Sequence, residues 1–274
     1  MSKTVQPTTI RAIRISELGT DYTVQRPVNQ HRVERIAENF NPAAVRTLAV
    51  SKRDDRYVVL DGNHRLHAMR ELGFSNGHLV QCEVYTGLSI EEEASLFLEM
   101  NDGKKPTYRE SFPIRVTQRD PDALAVKEII ESAGFTVAKD GRAAEGSIRA
   151  VDSVERVYKA FAHKGDRRFY NEAKQALLII KAAWGIHPEA LQMQIIRGAG
   201  IFVLTYGVDG FDFDRLVAKL SKSSPNSIIV WARNNAAVVG GSVPRSVGEA
   251  FQQRYNAGLR AASKRLPHWR SERA

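Results

Sequence analysis

The sequence holds a single cysteine, Cys82. That excludes a disulfide framework and a zinc site built on cysteines, and its place in an alternating apolar pattern makes it a small core residue. Long apolar runs are also missing. The stretch Ile195–Tyr206 falls short of the ~20 residues a membrane span needs and reads as a buried helix. Met1–Thr9 is polar, without the apolar core of a signal segment, so a cytoplasmic protein is expected. The chain has no Walker phosphate loop, no Gly-x-Ser-x-Gly elbow and no His-Glu-x-x-His helix. Three common enzyme signatures are thereby absent. No repeat of constant period appears either.

What is present is a folded composition. The 274 residues are 43% hydrophobic and 26% charged, enough for one large or two ordinary domains. Net charge is +9 and the sequence pI is near 9.7. A basic balance favours an acidic partner, most often nucleic acid.

The chain is organised around Tyr57–Gly73. Val58, Val59 and Leu60 form an apolar run of the kind that makes a strand covered on both faces. Asp61-Gly62-Asn63 breaks it with turn residues. Leu66, Met69 and Leu72 then recur at helical spacing, and Gly73 closes the helix. The turn gathers Asp61, Asn63, His64 and Arg65 at a helix N-terminus, where free backbone N–H groups and the dipole attract anions. A capping role for Asp61 or Asn63 would explain the turn residues. It would not explain why His64 and Arg65 both occupy a first turn where positive charge opposes the dipole. Asp61 is a candidate base or Mg²⁺ ligand, His64 a candidate proton shuttle or phosphate donor, and Arg65 a bidentate phosphate partner. Asn63 could bond a phosphate or ribose oxygen. His64 and His67 share a helix face, but no third metal ligand has matching spacing nearby.

Asp61-Gly62-Asn63-His64-Arg65-Leu66-His67-Ala68 resembles the second motif of the ParB/sulfiredoxin superfamily. Partition ParB proteins carry Gly-Glu-Arg-Arg there and sulfiredoxins Gly-Cys-His-Arg. A DNA-modification-associated group carries Asp-Gly-Gln-His-Arg and differs here only in Gln for Asn63. Sulfiredoxin chemistry needs the cysteine, which Asn63 replaces. The resemblance extends over about residues 10–110. Gln25-Arg26-Pro27 is similar to the segment preceding the first helix, where an arginine approaches nucleotide. Phe97 and Asn101, followed by basic residues, match a helix end of the same group. Where ParB proteins carry Gly-x-x-Gln-Pro, this chain has Asn41–Ala49 without the Gln-Pro.

The remaining chain supplies the frame. Strands are expected over Arg11–Leu18, Val45–Ser51 and His78–Tyr85, and Asn29 caps a helix facing inward with Val33, Ile36 and Phe40. Arg32 and Arg35 on that helix read as a solvated face or as phosphate contacts. Ser89 and Glu92 form a capping box, and the glutamates Glu91–Glu93 read as helix-start residues. Tyr108–Asp120, containing Pro113, reads as a linker. Helices follow from Asp120 onward and at about 147–163, 168–184, 188–206, 212–221, 225–238 and 245–264, with a loop or short hairpin at Phe135–Gly146. Arg254, Arg260, Lys264, Arg265, Arg270 and Arg273, with Tyr255 and Trp269 among them, make a basic C-terminal stretch suited to a nucleic-acid backbone or to solubility. Ser263–Ala274 has no apolar period and reads as disordered.

The expected fold is α/β (α+β): a ParB/sulfiredoxin-like domain with a small mixed sheet over residues 1–112, then an all-α domain over 113–274. The resemblance implies a DNA-associated protein binding a nucleoside triphosphate or diphosphate, or a phosphodiester, at the Asp61–Arg65 turn. Nuclease or NTPase chemistry of the kind carried by phages and mobile elements would follow. The alternatives are an ATP- or ADP-dependent kinase and a non-catalytic DNA-binding regulator. The candidate catalytic residues are Asp61, His64 and Arg65. The candidate ligand contacts are Arg26, Gly62, Asn63, His64, Arg65 and Asn101, with Asp61 as the candidate metal ligand. DNA is the expected partner, no membrane is, and a homo-oligomer is left open.

Overall fold

The computed structural model describes residues 9–42, 45–101, 106–138, 144–160 and 169–268. The chain divides into two compact units, Met1–Asp120 and Pro121–Ala274. The expectations for the basic residues after Asn101, for residues 139–143 of the Phe135–Gly146 loop, and for Trp269, Arg270 and Arg273 fall outside the described residues.

The first unit is a mixed sheet with helices on it. Its strands are β1 (Thr9–Arg14), β2 (Leu18–Gly19), β3 (Leu48–Arg53), β4 (Arg56–Asp61) and β5 (Leu79–Thr86), in the order β1-β5-β3-β4-β2. β3 pairs antiparallel with β4 and parallel with β5, while β1 pairs antiparallel with β5. The expected Arg11–Leu18 strand is interrupted by a 3₁₀ turn, Ile15–Glu17. Alternation on the inner strands serves two cores. Leu48, Val50, Tyr57 and Val59 pack with Cys82 on one face. Ala49, Val58 and Leu60 pack with Ala94 and Phe97 on the other. Burial on both sides is why Val58–Leu60 is continuously apolar. Burial also pushes the Cys82 thiol up to about 12, as befits an inert core residue.

The helices of this unit are α1 (Gln30–Glu38), α2 (Asn63–Glu71), α3 (Ile90–Met100) and α4 (Tyr108–Thr117). Asn29 caps α1, its Oδ1 accepting from Arg32 N–H at 3.1 Å, and Ser89 with Glu92 forms the capping box of α3. One expectation is corrected. The supposed linker is α4, opened by a second capping box from Thr107 and Glu110 and tolerating Pro113 within it. Glu91–Glu93 do stand in the first turn of α3, and Glu93 is in addition fully buried and paired with Arg53, which also holds Asp21 at 2.7 Å.

The second unit contains α5 (Pro121–Ser132), β6 (Thr136–Val137), β7 (Ser147–Ile148), α6 (Val151–Tyr158), α7 (Tyr170–Trp184), α8 (Met193–Tyr206), α9 (Phe213–Leu220), α10 (Pro225–Val239) and α11 (Val243–Asn256). β6 and β7 pair in parallel, so they are not the two arms of a hairpin. α8 lies against α11 closely enough that a Cβ on Gly198 would meet Val247 Cγ1 at 2.3 Å. The C-terminal stretch is not free up to His268. Leu266 is 8% exposed and exchanges hydrogen bonds with Asn256, and Tyr206 Oη donates to the Pro267 carbonyl. Among the described residues no helix is long and apolar enough to cross a membrane.

Candidate functional site

The turn joining β4 to α2 shapes the site. Gly62 is the N-cap of α2 and sits at φ +95°, in the left-handed region that glycine enters without strain. A Cβ there would lie 2.3 Å from Leu48 Cδ2 and 2.8 Å from Arg65 Nη2. Conformation and space both demand glycine. Neither Asp61 nor Asn63 caps the helix. Asp61 Oδ2 instead accepts from Arg65 Nη2 at 2.9 Å. This pair, one helical turn apart, explains how a first turn carries an arginine: a carboxylate is held beside it.

Arg65, Asn63 and His64 are each tied to another part of the unit. Arg65 Nη1 donates to the Arg46 carbonyl at 2.5 Å, with the Thr47 carbonyl at 3.4 Å, which fixes the chain entering β3. Asn63 is 4% exposed, and its Oδ1 accepts from Thr20 Oγ1 at 2.7 Å. Its Nδ2 is buried with no hydrogen-bond partner among the described residues. Such an orphan donor costs about 1–3 kcal/mol until something accepts from it. His64 is 9% exposed, and its Nε2 accepts from the Asn29 N–H at 3.2 Å. A backbone N–H only donates, so Nε2 is unprotonated and the neutral ring carries its proton on Nδ1. Burial, then the nearby Arg32 and Arg26 charges, lower the His64 pKa to about 4. Asn101 Nδ2 donates to the Phe97 carbonyl at 2.8 Å and closes α3.

These residues line a cleft of about 400 Å³. Arg26, Asp61, Gly62, Asn63, His64, Arg65 and Asn101, all expected at the site, meet there. Gln25, Arg32 and Arg46 join them without having been assigned to it. Gln25 fastens its segment to β4, donating to the Val59 and Leu60 carbonyls at 2.9 and 2.5 Å. Four arginines thus face one carboxylate among the lining residues, and that carboxylate is engaged by Arg65. Burial and the adjacent Arg26 and Arg35 lower the pKa of Arg32, the mark of cations crowded together. Among the described residues no group of three or more His, Cys, Asp or Glu side chains is placed to hold a metal. The signal for Arg32 was visible, an arginine on the first helix, but a solvated face explained it equally well.

A family model described as "Family of unknown function (DUF6551)" matches residues 20–264. No curated protein matches the chain. Among solved structures, a Pnob8-like ParB-N domain is 17% identical with a TM-score of 0.41, over 89% of this chain and 97% of that one. The C-terminally truncated chromosome-partitioning protein ParB from Caulobacter crescentus, complexed with CTP-gamma-S, is 12% identical with a TM-score of 0.31, over 89% and 98%. The same protein complexed to the centromeric parS site is 14% identical with a TM-score of 0.28, over 89% and 99%. At these scores the likeness carries no argument about this chain.

Proposed function

The chain belongs to the DUF6551 family of unknown function, and from its cleft we propose that it holds the phosphate groups of a nucleotide or nucleic-acid phosphodiester, as a ParB-like, DNA-associated protein. The observation that carries this reading is the arginine excess: Arg26, Arg32, Arg46 and Arg65 against Asp61 alone. Cations packed this closely repel one another and are stabilised by an anion between them. The first-turn N–H groups of α2 have no partner within the helix and add a directed set of donors. The motif resemblance and the net charge of +9 support the DNA association.

A Mg²⁺ ion in this cleft would take Asp61 as its protein ligand and draw its other oxygens from the phosphates and water. Turnover, whether hydrolysis or phosphoryl transfer, would need Asp61 as the base while its Oδ2 is held by Arg65. The engaged carboxylate favours binding over chemistry, and a kinase is therefore the second reading.

The test is a thermal-shift panel of ATP, ADP, CTP and GTP, each with and without Mg²⁺, together with anisotropy on a labelled duplex. A ligand specific to the native state raises the melting temperature. If no nucleotide shifts it and no duplex binds, the reading is wrong.

A further inference from the structure

The motif side chains and the arginines around them divide the work unequally. Three ties fasten the segment from Thr20 to Asn29 across the site. Thr20 Oγ1 bonds Asn63 at 2.7 Å, Gln25 Nε2 bonds the Val59 carbonyl at 2.9 Å, and the Asn29 N–H bonds His64 Nε2 at 3.2 Å. Two of the anchors, Asn63 and His64, are consecutive residues at the start of α2. They hold the two ends of one strap, and the strap carries Arg26 between them. Asn29 in turn caps α1 through the Arg32 N–H at 3.1 Å, so His64 also sets where α1 begins and where Arg32 stands. Arg65 does the same on the opposite wall by holding the carbonyls of Arg46 and Thr47.

The guanidinium groups differ accordingly. Both terminal nitrogens of Arg65 are engaged, with Asp61 and with backbone carbonyls. The side chains of Arg26, Arg32 and Arg46 make no hydrogen bond or ion pair among the described residues, although all three line the cleft. A guanidinium already engaged at both terminal nitrogens has fewer donors left for a ligand, whereas an unpaired one offers its whole fork.

We infer that the ligand's phosphate oxygens are gripped by Arg26, Arg32 and Arg46, while Asn63, His64 and Arg65 are positioning residues that clasp the strap and the β3 lead-in around them. This rests on the phosphate-binding reading above and assigns its contacts. The ligand class is an anion bearing two or more phosphate groups, because three separate forks converge from three segments of chain.

The experiment uses the full chain with inorganic pyrophosphate and ATP as probes, read by calorimetry, with the unliganded melting temperature measured in parallel. Arg26→Gln, Arg32→Gln and Arg46→Gln should each weaken pyrophosphate binding about tenfold or more, the effect of removing a charge-assisted hydrogen bond, and leave the unliganded melting temperature at or above the wild-type value, since each relieves repulsion among the cleft's cations. Arg65→Gln should lower the unliganded melting temperature. His64→Gln keeps an acceptor for the Asn29 N–H and should rescue both affinity and melting temperature, whereas His64→Leu should lose both. Arg65→Gln losing affinity at unchanged melting temperature, with the three other variants binding like wild type, would overturn the assignment. Wild type binding neither probe would instead overturn the phosphate-binding reading itself.

Discussion

His64 is nearly buried beside two arginines, and its titration is coupled to folding. Its pKa in the folded chain is about 4, against about 6.5 for an unperturbed histidine. Between these values the unfolded chain binds a proton that the folded chain does not. Stability therefore rises with pH across this window, is fully present above about pH 6.5 and is lost as pH falls towards 4. The contribution is at most about 3 kcal/mol. His67, also lowered by burial, acts in the same direction. Melting temperature followed from pH 7 to 4 should fall more steeply in wild type than in His64→Gln, which keeps the acceptor but does not titrate. Parallel curves would mean the ring is solvated. Gly62 makes a sharper case: at φ +95° with Leu48 Cδ2 only 2.3 Å from a would-be Cβ, Gly62→Ala should cost about 2 kcal/mol or more in urea unfolding. That glycine and its charged neighbours were legible from residue type and order alone. Arg46 was not, and Arg32 was legible only as one of two readings, because an arginine on a helix or before a strand is ordinarily solvated. Only the closing of the sheet brings positions 26, 32, 46 and 65 to one cleft.

Elements rather than residues explain why the frame was partly legible. Caps are local chemistry, so Asn29 for α1 and Ser89 with Glu92 for α3 lie where the sequence puts them. Helix α4 was overlooked because Pro113 weighed more than the Thr107-x-x-Glu110 capping box that starts it. A proline removes one N–H and crowds one carbonyl, which a helix held by tertiary packing of Phe112 and Ile114 survives. The three glutamates of α3 were legible only as a group. Glu92 caps, Glu91 meets Arg119 at 3.0 Å, and Glu93 is fully buried against Arg53. Burial depends on what lies across the sheet, which no local pattern records. Glu93→Gln should therefore destabilise the protein by about 3 kcal/mol, since it leaves Arg53 short of its buried partner. Glu91→Gln, at an exposed pair, should change little. Equal denaturation midpoints for the two variants would show that the Arg53–Glu93 pair contributes no more than a surface one.

At the scale of the whole chain, the net charge of +9 has to be separated from the fold that carries it. The basic C-terminal stretch reads in the sequence as a loose tail, and its charge invites deletion from residue 263 onward. The structure makes that deletion ambiguous. Leu266 N–H donates to Asn256 Oδ1 at 2.8 Å, the Leu266 carbonyl accepts from Gln252 and Asn256, and His268 meets Glu249 at 3.2 Å. These bonds pin residues 266–268 to α11 and, through Tyr206, to α8. No local pattern announces this clamp, because one leucine in a basic segment is too little to register as periodicity. Two truncations resolve charge from structure. Stopping after Ala262 removes the Leu266 clamp and should lower the melting temperature. Stopping after His268 removes Arg270 and Arg273 but keeps the clamp, so the melting temperature should stay at the wild-type value. If those arginines touch DNA, the second truncation should also flatten the salt dependence of duplex binding, by close to one unit of slope for each phosphate no longer neutralised. A wild-type slope in that variant would make residues 269–274 a solubilising extension. Identical melting temperatures for the two truncations would show that the clamp contributes nothing to the helical unit.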